Sequence, residues 1–390
     1  MSTEYTDHQA LIAELRGFKT LGELQESAAY RRHREYLADL LEQPRLFPVP
    51  EARPRIRDFV RLAHWNIEKG RYLDEIIEVF RRHPILREAD LISLNEADVG
   101  MNRSGQRFIA RELGAALGMH CLFAPAYLEF SKGYGEDLKI PGENTIALQG
   151  NAILSRYELR NPRILKLPVC FDHFAHQEQR IGARQAVAAE ISVGGGTLAF
   201  ASTHLEVRNK PGCRARQIQA LVEALHGQEA AVIAGDFNTN ATPRGGWWRT
   251  LRAALRLSFA DKDRLTHLFA NPQLQEPLFD VLRRHGFTEQ GFNCPATTCI
   301  VPMRGFEDRS ALPRFLADAF ESRMARFDYH LDFRLDWIVG RRVRPLGQDE
   351  IVDSVSGQAS RRPQSIPGLK NGQGGQISDH DPIAADLMLA

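Results

Sequence analysis

The sequence predicts an α+β protein in which sheets pack against each other and helices lie outside them. Short apolar strands alternate with helical stretches from residue 59 onward, and the alternation does not form a regular βαβ series. The run from Val187 to Ser202 reads as a hairpin turning on Gly194, Gly195 and Gly196, which brings in antiparallel pairing.

The strand segments are Phe59–Trp65, Leu91–Leu94, Ala147–Leu154, Leu198–Ser202, Ala230–Ala234, Leu335–Val339 and Ile383–Leu387. Helical spacing predicts helices over Leu73–Arg82, Arg107–Leu117 and Arg214–Leu225. Residues 1–57 read as a helical N-terminal extension. Leu11, Leu15 and Phe18 form one stripe and Tyr36, Leu37, Leu40 and Leu41 another, and Pro44, Pro48, Pro50 and Pro54 stop the helices. Residues 58–390 then form the main domain, with insertions at about 249–327 and 348–376. The second insertion is rich in Gly, Ser, Gln and Pro. It lies just before Asp379, and it is expected to be a mobile loop that gates the site. Trp247 and Trp248 are expected to pack in the core or in the first insertion, with stacking on a base or contact with a lipid as the alternative.

The net charge of +1 gives no global basic footprint of a non-specific nucleic-acid binder. Basic runs at Arg31–Arg34, Arg81–Arg82 and Arg341–Arg344 read as solvated faces. Five cysteines, an odd number, and a polar N-terminus lead to an expectation of reduced thiols in a cytoplasmic protein. Cys294 and Cys299 read as ordinary thiols, because nothing nearby completes a zinc site. No segment has the apolar run of roughly 18 residues that a membrane span needs.

The chemistry lies in polar residues at strand ends. In His64-Trp65-Asn66-Ile67-Glu68, alternation puts Val60, Leu62, His64 and Asn66 on one side. Asn66 and Glu68 offer hard oxygen donors suited to Mg²⁺ or Mn²⁺, although a polar strand end opening a loop would look the same. Leu94-Asn95-Glu96 ends a buried strand in a carboxylate, which needs a cation: a metal or an Arg such as Arg103. His204 follows another strand. Asp236 and Asn238 follow a third in Gly235-Asp236-Phe237-Asn238, where turn chemistry is an equal explanation. Asp336 interrupts the strand at 335–339. In Asp379-His380-Asp381 the flanking carboxylates are expected to raise the basicity of the imidazole. The Gly-x-Ser-x-Gly elbow, the P-loop, the dinucleotide-binding glycine motif and the His-Glu-x-x-His motif are all missing.

The ordered set Trp65-Asn66-Ile67-Glu68, Leu94-Asn95-Glu96, Gly150-Asn151-Ala152-Ile153-Leu154-Ser155, Thr203-His204-Leu205, Gly235-Asp236-Phe237-Asn238, Leu335-Asp336-Trp337 and Ser378-Asp379-His380 resembles the endonuclease/exonuclease/phosphatase superfamily, the DNase I-like proteins. The resemblance spans residue 59 to the end. It implies a two-sheet β-sandwich with helices on both faces, four layers α/β/β/α, and a catalytic domain over 58–390. It also implies a divalent-metal-dependent phosphoester hydrolase using Mg²⁺ or Mn²⁺. Glu96 would be the principal metal ligand, with Asn66, Glu68 and Asp379 on the metal side. Asp236 and Asn238 would position water and phosphate. His204, Arg184 and Asn66 would contact the phosphate. His380, oriented by Asp336, would be the general base or a phosphate stabiliser. Asn95 departs from the family's usual Gln before the Glu and keeps the carboxylate itself. The substrate expected first is a phosphodiester, possibly of a nucleic acid. Because Thr203-His204-Leu205 resembles sphingomyelinases, deadenylases and tyrosyl-DNA phosphodiesterases, a lipid or small phosphoester is the alternative. A non-catalytic binding module would have lost catalytic positions, and the main ones are kept. Nothing in the sequence identifies a protein partner.

Overall fold

The computed structural model describes residues 8–175, 178–240, 247–304 and 312–390. Strands and helices are numbered in chain order. The larger sheet contains β1 (Arg45–Phe47), β2 (Val60–Asn66), β3 (Leu91–Val99), β4 (His120–Glu129), β5 (Leu148–Ser155), β7 (Arg180–Gly182), β14 (Val343–Pro345), β15 (Gln364–Ser365) and β16 (Ile383–Leu389). Its main path is β1-β4-β5-β3-β2-β16-β14. The second sheet contains β6 (Arg160–Lys166), β8 (Gln185–Val193), β9 (Gly196–His204), β10 (Ala230–Asp236) and β13 (Asp336–Arg341), in the order β13-β10-β9-β8-β6. Each sheet has one parallel pair near its middle, β2 with β3 and β9 with β10, flanked by antiparallel neighbours. A separate ribbon pairs β11 (Cys299–Pro302) with β12 (His330–Phe333).

Strand parity sorts the side chains into three layers. Val60, Leu62, Leu91, Ile153, Phe200 and Val232 meet in the core between the sheets. Their alternates Ala63, Trp65, Ile92 and Leu94 face outward from the larger sheet. There they pack under α4 (Leu73–Arg82) and α5 (Ile109–Leu117). Leu11, Ile12, Leu15, Leu24, Leu37 and Leu40 join the same layer from α1 (His8–Leu15), α2 (Leu21–Glu26) and α3 (Ala28–Glu42). The segment read as an extension thus shares the outer core, and β1, within it, pairs with β4. On the other side, Ala199, Ile233, Trp337 and Val339 pack under α6 (Pro211–Ala224) and α9 (Leu278–Arg284). The result is a two-sheet sandwich flanked by helices, as expected. The hairpin is also as expected: β8 and β9 close on Gly194 and Gly195, both at positive φ (57° and 78°), the conformation a two-residue turn of right-handed twist requires.

Several expectations need correction. The sequence reading passed over β4, although it pairs with three strands, β1, β5 and β7. It is buried almost throughout, so it shows no alternation, and Pro125 sits where the register with β5 shifts. The segment at 249–327 is not one unit. Around α9, Leu278, Phe279, Leu282 and Phe287 complete the layer on the second sheet. The flanking α7 (Trp247–Phe259), α8 (Lys262–Ala270), α10 (Arg314–Arg323) and the β11–β12 ribbon build a small core of their own with Leu257, Phe269, Phe320 and Phe333. The stretch 348–376 is tied down. The Asp353 carboxylate accepts from the backbone N–H groups of Arg57 (2.6 Å), Asp58 (2.8 Å) and Ser356 (2.6 Å), and β15 pairs with β16. Cys170 and Cys213 form a disulfide, with Cα atoms 6.2 Å apart, so the five thiols are not all reduced. An odd count reports nothing about which pair a fold brings together. Cys121, Cys294 and Cys299 are free. No described helix is long and apolar enough to cross a membrane.

Candidate active site

At one end of the sandwich the inner layer changes from apolar to polar without a change of parity. Val60 and Leu62 give way to His64 and Asn66 on β2, and Leu91 to Ser93 and Asn95 on β3. Leu198 and Phe200 give way to Ser202 and His204 on β9, and Val232 and Ala234 to Asp236 on β10. These side chains are buried, and they satisfy one another across the two sheets. The Ser93 and Ser202 hydroxyls meet at 2.8 Å. Asn95 Oδ1 accepts from the backbone N–H of Asp236 at 2.8 Å, and its Nδ2 donates to Asn151 Oδ1 at 2.9 Å. The Asn that replaces the family's usual Gln is therefore a buried strut between the sheets. Gly235 is required here, because a Cβ would lie 1.9 Å from the Thr203 carbonyl oxygen of the parallel neighbour. That close approach sets Asp236 opposite His204 in register, with Oδ2 3.2 Å from His204 Nε2.

Asp336, the first residue of β13, is a hub. Its Oδ1 lies 3.0 Å from His64 Nε2, and its Oδ2 lies 2.7 Å from His380 Nδ1. Oδ2 also accepts from the Thr298 hydroxyl at 2.6 Å. His380 comes from the turn before β16, where Ser378 Oγ donates to the Asn66 carbonyl and accepts from the His380 N–H. Its Nε2 lies 3.8 Å from Asp236 Oδ2. Burial opposes a charge on His380, but the carboxylates of Asp336 and Asp379 raise its basicity well above the ordinary range. The carboxylate bonded to the imidazole is Asp336 of β13, and of the two flanking carboxylates Asp379 adds to its basicity.

The acidic residues gather on the side of the larger sheet. Glu96 sits in a bulge of β3 between Leu94 and Ala97 at φ 57°, a left-handed conformation that turns the carboxylate out of the strand pattern. Asn66 Nδ2 reaches Asp236 Oδ2 at 3.2 Å and Glu96 Oε1 at 3.4 Å. Glu68, also at positive φ, accepts the Asp379 backbone N–H at 3.1 Å. Burial raises Glu68, and Glu96 adds to the rise. Burial with the charges of Glu68, Glu96 and Asp236 pushes Asp379 up to about 7. Burial works against the charge on Glu96, yet His204, Lys69, Arg184 and His380 hold its carboxyl below the usual range. Asp236 is likewise buried, and His204 and His380 keep it ionised. The proposed cation for Glu96, Arg103, is used elsewhere: it pairs with Asp98 at 2.8 Å and Glu178 at 2.8 Å. The carboxylates of Glu68, Glu96 and Asp379 repel one another and could hold a hard divalent cation, which would offset the repulsion that raises Glu68 and Asp379; the Asn66 amide turns its Nδ2 toward Glu96 and its Oδ1 to the Glu68 N–H. Cys299 also comes near Asp379 and His380, with ligand atoms within 4.8 Å. Burial pushes its thiol up to about 12, so it offers a neutral S–H rather than a thiolate ligand.

These groups open into a cleft of about 480 Å³. Glu68, Glu96, Asp236, Asn238, Asp379 and His380 line its floor, with His204 and Arg184 beside them. Asn66 and Asp336 stand just behind, bonded to residues that line it. Asn238, at φ 51°, turns back to Asp236 through its N–H and donates its Nδ2 to the Leu205 carbonyl at 2.9 Å. All ten residues singled out from the sequence thus lie at one place. Sequence reasoning named His64 and Asn151 without giving them a role and missed Thr298; the partners of all three are distant in the chain. It also missed a polar wall of Lys69, Gln149, His173, Arg180 and Arg208, and an apolar wall of Leu257, Val301, Met303, Phe320, Leu331 and Phe333. The only usable signal for the apolar wall was helical spacing in 250–257. No described residue of 348–376 lines the cleft, so the expected gate is not there; the helices and ribbon of the earlier insertion form that side.

A two-sheet sandwich with acid, amide and imidazole groups converging at one end carries the kind of groups that phosphoester chemistry calls for. The chain belongs to the endonuclease/exonuclease/phosphatase family, whose family model matches residues 63–380. No curated protein matches the chain. Among solved structures it is similar to an endonuclease/exonuclease/phosphatase from Beutenbergia cavernae DSM 12333, at 14% identity and TM-score 0.47, over 86% of this chain and 72% of that one. It is similar to the human Nocturnin catalytic domain with bound sulfate, at 15% identity and TM-score 0.45, over 87% and 100% of the two chains. A 3'-5' exonuclease from Neisseria meningitidis matches at 16% identity and TM-score 0.43, over 84% and 98%.

Proposed function

We propose that the chain is a divalent-metal-dependent phosphodiesterase acting in this cleft. The observation that carries the reading is the gathering of Glu96, Glu68, Asp379, Asp236 and His380 in one cleft, with Asp336 bonded to His380 from behind. Glu96 is the principal metal ligand in this reading, with Asn66, Glu68 and Asp379 around it. When bound by these residues, Mg²⁺ or Mn²⁺ would supply positive charge against the negative charge of the phosphate and that developing on its oxygens. Asp236, kept as a carboxylate, accepts from the attacking water and fixes its direction. Asn238, His204 and Arg184 donate to the phosphate oxygens. His380, held as a cation by Asp336, stabilises the phosphate and is placed to give up a proton as the ester bond breaks. His64 braces Asp336 from behind.

The test is hydrolysis of bis-p-nitrophenyl phosphate with Mg²⁺, Mn²⁺ or EDTA, alongside a panel of DNA, RNA, nucleotides and lipid phosphodiesters. Glu96→Ala is expected to lose metal-dependent turnover by about 10²-fold or more while staying folded. Mg²⁺ should raise the melting temperature of the wild type but not of the variant. A folded Glu96→Ala protein with full metal-stimulated activity would overturn the assignment.

A further inference from the structure

The helix that walls the cleft is apolar on two faces. The inner face of α7 places Thr250, Ala254 and Leu257 at helical spacing against the cleft and the small core beside it. Trp248, Arg252, Leu255 and Phe259 recur at i, i+4, i+7 and i+11, so they share the opposite face. That face is open: Trp248 is 73%, Leu255 51% and Phe259 69% exposed. This is contrary to the expectation that the two tryptophans pack inside, since the buried stripe is offset from them. The edge of Trp248 is steadied by Trp247, with ring centroids 4.1 Å apart. The helix carries Arg249, Arg252 and Arg256 and no acidic residue. Neighbouring α10 adds Arg323, whose guanidinium lies 5.4 Å from the centroid of the Phe259 ring, and exposes Phe315.

From this juxtaposition we infer that the outer face of α7 docks the protein on an anionic lipid surface. Trp and Phe rings with a Leu between them enter the boundary of headgroup and acyl chain, and arginines on the same helix reach back to the phosphates. The charge is local, since the chain as a whole carries only +1, and it sits where the apolar stripe is. A face for stacking bases would need flat rings along a basic track, whereas aliphatic Leu255 lies between these rings. Docking in this orientation sets the cleft, walled by the inner face of the same helix, close to the headgroups.

The full chain is sedimented with phosphatidylcholine vesicles, with and without phosphatidylglycerol. The wild type is expected to pellet with the anionic vesicles and much less with the neutral ones. A Trp248→Ser, Phe259→Ser double variant should partition about a hundred-fold less, since each buried aromatic contributes on the order of the free energy of a ten-fold change. Arg252→Glu should remove the preference for anionic lipid. Both variants should keep the wild-type melting temperature and hydrolysis of bis-p-nitrophenyl phosphate. A wild type that stays in the supernatant with anionic vesicles, or a double variant that partitions like it, overturns the inference. Binding of single-stranded nucleic acid or of a protein that the double variant abolishes, without vesicle binding, overturns it too. None of these results bears on the proposed chemistry, which the soluble diester reports separately.

Discussion

Asp336 is the residue on which most of the site's polar geometry depends. It holds two imidazoles and a hydroxyl at once, each 3.0 Å or nearer. Asp336→Asn keeps the shape but removes the charge that raises the basicity of His380. The expected result is a loss of kcat of about 10²–10⁴-fold. The residual activity should lose its alkaline limb at lower pH than the wild type, because the cationic imidazole then gives up its proton earlier. A pH profile of kcat/KM checks this, and an unmoved alkaline limb would remove His380 from the reading. At this scale the sequence was informative where chemistry is declared locally. Glu96 stood out as a carboxylate closing an apolar strand, and Asp336 as an acid inside one. His64 did not stand out, because what makes it matter is a partner 272 residues away. Thr298 was silent for the same reason: a lone Thr in a loop has no pattern.

Among the elements, the parallel pair β9–β10 does most to position the site, and Gly235 decides how closely those strands approach. Gly235→Ala would drive a methyl group into the Thr203 carbonyl, 1.9 Å away. We expect a destabilisation of about 3 kcal/mol or more, read from urea melts, with activity lost beyond what the fraction folded explains. An alanine variant that is as stable as the wild type would mean that the strands can part without cost. Elements with one wet face or a clear turn were legible. α4 spans the residues predicted, 73–82, and the glycine hairpin turns where its sequence says. β4 was not legible, because a strand buried on both sides shows no period of two. The anchored stretch 348–376 was misread because a composition suited to loops says nothing about Asp353, whose carboxylate collects backbone N–H groups from Arg57 and Asp58.

For the whole molecule, the buried His173 predicts how the fold meets acid. Burial, with the charge of Arg180 and against a hydrogen bond to Glu206, pushes its pKa from 6.5 down to about 4. The folded value lies below the unfolded one, so the stability it contributes is complete above pH 6.5. It is lost progressively as the pH falls toward 4, by up to roughly 3 kcal/mol. Urea midpoints measured across that interval should fall for the wild type and fall less for His173→Gln. Equal slopes would show that other groups carry the acid sensitivity.

The polar layer joining the two sheets has a further consequence. Asn66, Glu96 and Asp379 travel with one sheet, while His204, Asp236 and Asp336 travel with the other. The reacting groups therefore sit on opposite plates of a sandwich, and their alignment gauges any slip between the plates. A slide of about an ångström would leave every strand intact and still spoil the geometry. Warming should accordingly silence turnover several degrees before circular dichroism registers unfolding, and a substitution such as Phe200→Leu, deep between the sheets and far from any ligand, should widen that gap.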